Sequence, residues 1–280
     1  MRNSELEKME IDLVIDCIRR RYGYDFGNYS FASLHRRFEQ LRSAAGLNRY
    51  TEMVDKLFHD EDYFELLLRQ MSIVVTEMFR DPAFYAALRE TVLPLLKTYP
   101  FAKIWHAGCA TGQEAYSMAV LLHENDFLAR ARIYGTDFNK NALDIAQKGV
   151  YPADAMARYG ENYAKAGGIA DFSEYFSDAY GLCKMKDFLG ERITFSYHNL
   201  VTDGVFGEMN IIFCRNVLIY FDRELQDRVL RLFSDSLRHG GFLCLGNKET
   251  LNFTAVEDIF ETVDAKNRIY KKIGDIRRAT

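Results

Sequence analysis

An α/β protein with a mainly parallel sheet, preceded by a small helical domain, is the fold class this sequence predicts. Three observations predict it. Residues 1–72 read as helices throughout, with apolar residues three and four apart. From about residue 101, five short apolar runs alternate with helix patterns, as in parallel sheets covered on both faces. The closing stretch FETVDAKNRIYKKI holds two strand-like halves with no helix between them, which predicts a hairpin or antiparallel edge pair.

In the N-terminal region Phe31, Leu34, Phe38 and Leu41 share one helical face. Tyr50, Met53, Val54, Leu57 and Phe58 repeat the pattern, as do Tyr63, Phe64, Leu67, Leu68 and Met71. Gly46 follows one such run and suits a helix C-terminus. Helices this short are stable only when packed together, so residues 1–72 should form a small bundle. Residues 73–100 form a linker and a connecting helix: Ser72 to Arg80 should be extended, and Asp81-Pro82 should start the helix, Asp as cap and Pro in the first turn.

The strands expected in residues 101–280 are AKIWHA (102–107), ARIYGTD (131–137), ITFSYHN (193–199), MNIIFC (209–214) and FLCLGN (242–247). Helices are expected at Asn139–Lys148 and Arg223–Arg238. Residues 151–192, rich in Tyr, Phe and Gly, interrupt the alternation. They read as an inserted antiparallel β-subdomain at about 160–195, with short strands near Gly181–Met185 and Arg192–Phe195.

The composition narrows the function. Of 280 residues, 48% are hydrophobic and 27% charged, enough for a large core and unlike a disordered chain. No run approaches the roughly 20 apolar residues of a membrane helix, and MRNSELEKME is no signal peptide, so a cytoplasmic protein without membrane insertion is expected. Cys17, Cys109, Cys183, Cys214 and Cys244 are odd in number and lack Cys-x-x-Cys spacing, so neither a metal site nor a disulfide framework is expected. A net charge of −4 argues against nucleic acid as a partner. Between residues 19 and 49, however, Arg19, Arg20, Arg21, Arg36, Arg37, Arg42 and Arg49 face only Asp25 and Glu39. That patch either grips an acidic partner or is a solvated helix face.

Chemistry concentrates where strands end. The first strand runs into HAGCATGQEAYSMA, where Gly108 and Gly112 permit a tight turn and close approach to a ligand. The loop is not a Gly-x-Gly-x-x-Gly fingerprint and lacks the Lys of a phosphate-binding loop. The second strand ends in Asp137, placed either to hold ribose hydroxyls or to cap the next helix. The fourth runs into CRNVLIYFD, putting Arg215 and Asn216 at the same edge. Nicotinamide dinucleotides and S-adenosylmethionine both suit such an edge, and the missing pyrophosphate fingerprint favours the second.

The strings VTEMFRDPAFY, WHAGCATGQEAYS, GTDFNKNALDIAQKGVYP, NLVTD and IIFCRNVLIYFD resemble, in the same order, the chemotaxis receptor (CheR-like) protein-glutamate O-methyltransferases. The resemblance covers nearly the whole chain. It implies a Rossmann-like class I S-adenosylmethionine-dependent methyltransferase domain with a helical N-terminal domain and a small antiparallel insertion. It also implies methyl esterification of glutamates on the cytoplasmic part of a chemoreceptor, by a monomer. Carried over by the matching motifs, the cofactor site falls on Thr76, Arg80, Glu114, Asp137, Asn199, Leu200, Arg215 and Asn216, to which the glycine turn adds Gly108. Asp137 would hold the ribose, Asn199 and Leu200 the adenine, and Glu114 the methionine ammonium. Arg80 and Tyr220 would lie near the transferring methyl, and Arg36, Arg37 and Arg42 would bind the acidic substrate. The chain departs from the family linker Asn-x-Thr-x-Phe-Phe-Arg, with Val74 in place of Asn and Met78 in place of an aromatic residue, and Gln113 stands where the loop often has a first Glu. Three other readings share some of these features: a class I methyltransferase for RNA or a small molecule, a non-catalytic cofactor-binding signalling module, and a nicotinamide-dependent oxidoreductase.

Overall fold

The computed structural model describes residues 3–71 and 76–275, which fall into two compact units. The first holds the residues up to 71 together with Tyr220–Arg228, and the second holds the rest.

In the first unit, helices α1 (Asn3–Tyr22), α2 (Phe31–Ala44), α3 (Thr51–His59) and α4 (Glu61–Met71) bury the stripes their spacing predicts. Ile11, Val14 and Ile18 of α1 join Leu34, Phe38, Leu41, Met53, Leu57, Tyr63, Phe64, Leu67 and Met71 in the core. Phe31 and Phe58 were expected on the same faces but are exposed, because each sits at a helix end. Gly46 closes α2 at φ 66°, its amide donating to the Ser43 carbonyl (3.1 Å) while Leu47 N–H donates to Arg42 O (3.0 Å).

The arginine excess is largely answered inside this unit. Arg19 and Arg20 pair with Asp16 at 2.6 and 2.7 Å. Arg21 donates to the Leu57 carbonyl (3.1 Å). Arg42 pairs with Glu39 at 2.7 Å and donates to the carbonyls of Leu47 and Asn48. The Arg42 bond, with help from Tyr50, holds the Glu39 carboxyl down at about 2. Arg37 is 2% exposed, donates to the Met71 carbonyl and lies 4.6 Å over the Tyr220 ring. Of the three arginines named for substrate binding, Arg37 is buried, Arg42 is occupied within its own helix–loop turn, and Arg36 is exposed.

The second unit opens on the linker. Val74 and the first residues of Ser72–Arg80 lie outside the described residues, and the remainder is coil and turn rather than extended. The reason is burial: Phe79, at φ 52°, turns its ring against Tyr85, Tyr163 and Phe172 while its amide donates to Ser117 Oγ (2.9 Å). Pro82 begins α5 (Pro82–Ala87) as expected, and a π-turn at Leu88–Val92 leads into α6 (Leu93–Leu96). Asp81, however, adopts φ 57° and makes no side-chain cap.

The sheet follows in alternation: β1 (Ala102–Ala107), α7 (Gln113–His123), β2 (Ala131–Asp137), α8 (Lys140–Lys148), β3 (Val150–Pro152), α9 (Ala153–Lys165), β4 (Phe176–Ala179), β5 (Leu182–Met185), α10 (Asp187–Gly190), β6 (Ile193–Tyr197), β7 (Met209–Cys214), α11 (Arg223–Ser236), β8 (Leu237–Leu245), β9 (Phe260–Asp264) and β10 (Ile269–Lys272). The strand order is β6-β2-β1-β7-β8-β10-β9. The first five strands run parallel, and β10 and β9 are antiparallel, as the closing pattern predicted. The small antiparallel sheet is β3-β5-β4. The strand expected near Arg192–Phe195 is not part of it: Ile193–Tyr197 pairs in parallel with β2 at the edge of the main sheet. β8 also begins five residues before the expected Phe242, because Leu237 already pairs with Met209 of β7.

The buried state of Arg37 sets a clear expectation. Arg37→Glu should destabilise the helical unit by about 3 kcal/mol or more, since it places an unpaired charge in the core. Arg36→Glu should stay within about 0.5 kcal/mol of the parent. Urea denaturation followed by circular dichroism distinguishes them, and equal midpoints for the two variants would contradict the buried role.

Candidate active site

Strand order reverses about β1: β2 lies on one side and β7 on the other, so the loops leaving β1 and β7 diverge at a topological switch point. They nevertheless approach closely. Gly108 has φ 75°, and a Cβ there would lie 2.5 Å from Val217 Cγ2, so only glycine fits. Ala110, at φ 48°, and Gly112, at φ 90°, continue the turn into α7. The backbone is thus wound so that the amides of Gly108 and Cys109 both donate to the Thr136 carbonyl at the end of β2 (2.8 and 2.9 Å).

Asp137, the last residue of β2, is buried. One carboxylate oxygen accepts the Ala110 amide (2.9 Å) and the other the Asn139 amide (2.9 Å). Burial pushes its pKa up, against the lowering effect of the Asn139, Ala110 and Phe138 amides. Asn139 rather than Asp137 caps α8, by accepting the Ala142 amide, while Asp137 braces the loop after β1. Beyond β6, His198 N–H donates to the Asp137 carbonyl (3.2 Å) and brings Asn199 and Leu200 to the same edge, both buried. The Asn199 side-chain oxygen accepts the Val201 amide (3.0 Å), which holds that turn closed.

Arg215 is the charged centre. Its side chain is 1% exposed and pairs with Asp81 (2.6 Å) and Glu114 (3.2 Å). The same guanidinium donates to the Arg80 carbonyl (3.4 Å) and lies 4.1 Å from the Phe84 ring centre. Glu114 uses its other oxygen on His106 Nδ1 (2.9 Å), whose ring stacks on Phe213 at 4.4 Å. Burial raises the Glu114 pKa, but His106 and Arg215 outweigh it and hold the carboxyl below its ordinary value. Arg215 and Glu114 therefore bind each other, and through Asp81 and the Arg80 carbonyl they lock the linker onto the sheet edge. Thr76 and Arg80 are half-buried on that linker. Tyr220 belongs to the first unit, beneath Arg37.

Three contributors escaped the sequence reading. Asp81 looked like a cap and His106 like an apolar-strand residue. Glu249 follows β8 and accepts the amides of Asn216 (3.0 Å), Val217 (2.9 Å) and Gly246 (2.6 Å). A signal for the last was present: an acid three residues after a glycine that ends an apolar strand, the same grammar that drew attention to Gly108.

The chain matches two family models, "CheR methyltransferase, SAM binding domain" over residues 74–269 and "CheR methyltransferase, all-alpha domain" over residues 9–72. This chain belongs to the CheR methyltransferase family. It is accordingly an S-adenosylmethionine-dependent methyltransferase with a Rossmann-like class I domain, a helical N-terminal region and a small antiparallel sheet. It is 46% identical to Cher3 of Pseudomonas putida, a protein given a methyltransferase name, over 97% of this chain and 98% of that one. It is 34% identical to a chemotaxis protein methyltransferase of Vibrio anguillarum (71% and 72% of the two chains). It is 26% identical to one of Borreliella burgdorferi (89% and 90%). The donor set fits S-adenosylmethionine: a buried carboxylate stands at the end of β2 beside a tight glycine turn whose sequence is not the Gly-x-Gly-x-x-Gly pyrophosphate fingerprint.

The Arg215 network predicts a pH dependence. Because the folded pKa of Glu114 lies below its ordinary 4.5, its contribution to stability is present above 4.5 and is lost as pH falls through the lower folded value. The difference in Tm between the parent and Glu114→Gln should hold steady from neutral pH down to about 4.5 and shrink below it. A gap that widens on acidification would show that the carboxyl is not held ionised by His106 and Arg215.

Proposed function

We propose that this methyltransferase forms γ-methyl esters on glutamate side chains in the cytoplasmic part of a chemoreceptor or a related signalling protein, and that it works in the cytoplasm. The observation that carries this reading is the match to the all-alpha domain over residues 9–72. Relatives that align over 89% of this chain include proteins named chemotaxis protein methyltransferase. Among the described residues no helix is long and apolar enough to cross a membrane, in keeping with a receptor-modifying enzyme that is not itself embedded.

S-adenosylmethionine supplies an electrophilic methyl group on a sulfonium. A glutamate carboxylate, with a pKa of about 4.3, is already ionised at neutral pH, so the chain needs no general base. Its task is to position and to exclude water. In this reading Asp137 holds the ribose with the lone pairs its amide donors leave open, and Asn199 and Leu200 flank the adenine. Gly108 and Asn216 line the crevice between β1 and β7. Arg80 is held at the sheet edge by the bonds of Arg215 to its carbonyl and to Asp81, and in this reading Arg80 orients a carboxylate and Thr76, on the same linker, contacts the cofactor. Tyr220 remains a candidate for the reaction from the family motif. Arg36 is an exposed cation offered to an acidic receptor helix.

Tritiated cofactor, incubated with the enzyme and receptor cytoplasmic fragments, should yield label released as methanol by mild base, because esters hydrolyse and N-methyl products do not. Asp137→Ala should weaken S-adenosylhomocysteine binding by about tenfold or more, consistent with the loss of hydrogen bonds to a charged group. Titration calorimetry reads that change, and unchanged affinity would remove Asp137 from the site. Cofactor binding with no base-labile label on any receptor fragment would favour the signalling-module alternative.

A further inference from the structure

The loop that leaves β7 is left-handed at its key residue, Asn216, with φ 64°. Such a conformation is unfavourable for a side chain with a Cβ unless its surroundings impose it. What imposes it is a carboxylate from another loop. The Asn216 and Val217 amides turn toward the two oxygens of Glu249, and the Leu218 amide joins them. Consecutive amides aimed at one point form a concave anion nest. In many proteins an external anion fills such a nest, whereas here it is filled by the chain's own side chain, which is 4% exposed.

The fourth donor, Gly246, comes from the end of β8 and ties the loops after β7 and β8 together. A Cβ at Gly246 would lie 2.8 Å from both the Asn216 amide nitrogen and Glu249 Oε2, so the two backbones meet at a distance only glycine allows. Val217, the second residue of the nest, is the side chain that packs on Gly108 across the switch point. A change at Glu249 therefore reaches both walls of the crevice between β1 and β7.

We propose that Glu249 is a positioning residue for methyl transfer: by anchoring the amides of Asn216 and Val217 it sets the wall of the cofactor crevice, and so the affinity for S-adenosylmethionine, without touching the cofactor. The proposal rests on the reading that the loops at Gly108 and Asn216 hold that cofactor. Glu249→Gln keeps the volume but must turn its NH2 group toward one set of amide donors, leaving at least one amide without an acceptor.

The Kd for S-adenosylhomocysteine and the KM for S-adenosylmethionine should both rise about tenfold in Glu249→Gln, with kcat at saturating cofactor within about twofold of the parent. Glu249→Asp, one methylene shorter, should not restore the parent affinity. Lys272→Met supplies the comparison for a purely structural loss. Its buried ammonium donates to the Ser234 and Leu237 carbonyls (2.9 and 3.0 Å) in the same unit, so its removal should lower Tm and leave Kd unchanged. If Glu249→Gln lowers Tm as Lys272→Met does but keeps the parent Kd, the carboxylate is structural only and the proposal is overturned. Should Glu249→Gln not fold, Gly246→Ala perturbs the same junction from the other loop, and a parent-like Kd there overturns the proposal equally. Failure of the parent protein to bind S-adenosylhomocysteine would instead remove the cofactor-site reading, and the proposal with it.

Discussion

A guanidinium buried as deeply as that of Arg215 stays charged only if carboxylates and carbonyls replace the water it gave up. Asp81, Glu114 and the Arg80 carbonyl make that replacement, two of them from the linker and Glu114 from the first turn of α7. The ion cluster thus joins the linker, the first turn of α7 and the end of β7 at one point. A buried pair of this kind adds little net stability over an apolar substitute, but losing one partner leaves an uncompensated charge, so the arrangement is specific. Asp81 illustrates the effect: it gives up a capping role and adopts a left-handed conformation while serving Arg215.

Around this cluster the sheet edge is assembled by amides that meet carboxylates. Asp137 braces the loop after β1, and Glu249 braces the loop after β7. Both carboxyls are pushed upward by burial, and both are held by backbone donors, so the two loops are shaped by the same physics from opposite sides of the switch point. Glycine is required where those loops come closest, at Gly108 and Gly246. Such a rigid rim suits a reaction in which the nucleophile arrives ionised and the enzyme contributes mainly position.

In the helical unit the lesson concerns charge. A cluster of arginines in sequence looks like a surface for an acidic partner, yet most of these side chains find partners within a few residues or inside the bundle. Arg37 is the extreme case, because its guanidinium serves the Met71 carbonyl and the Tyr220 ring. Formal charge along a helix therefore overstates the field offered to solvent, although Arg36 and Arg49 remain exposed, as do the ion-paired Arg19 and Arg20.

The sequence by itself determined the elements and their order. The helical stripes, the strands 102–107, 131–137 and 209–214, and the closing hairpin all follow from local periodicity, which the chain carries residue by residue. It also named most residues of the sheet edge, because glycines and acids after apolar strands are local signals. Only the tertiary structure decided what those residues bind. The pairing of Arg215 with Asp81 spans 134 positions, and Glu249 reaches back 33 to Asn216. Likewise the segment 192–199 suited both the main sheet and the insertion in sequence, and its parallel pairing with β2 decided for the main sheet. Periodicity reports which way a side chain faces along its own element, whereas a buried charge finds its partner through the packing of distant elements, and no local pattern encodes that meeting.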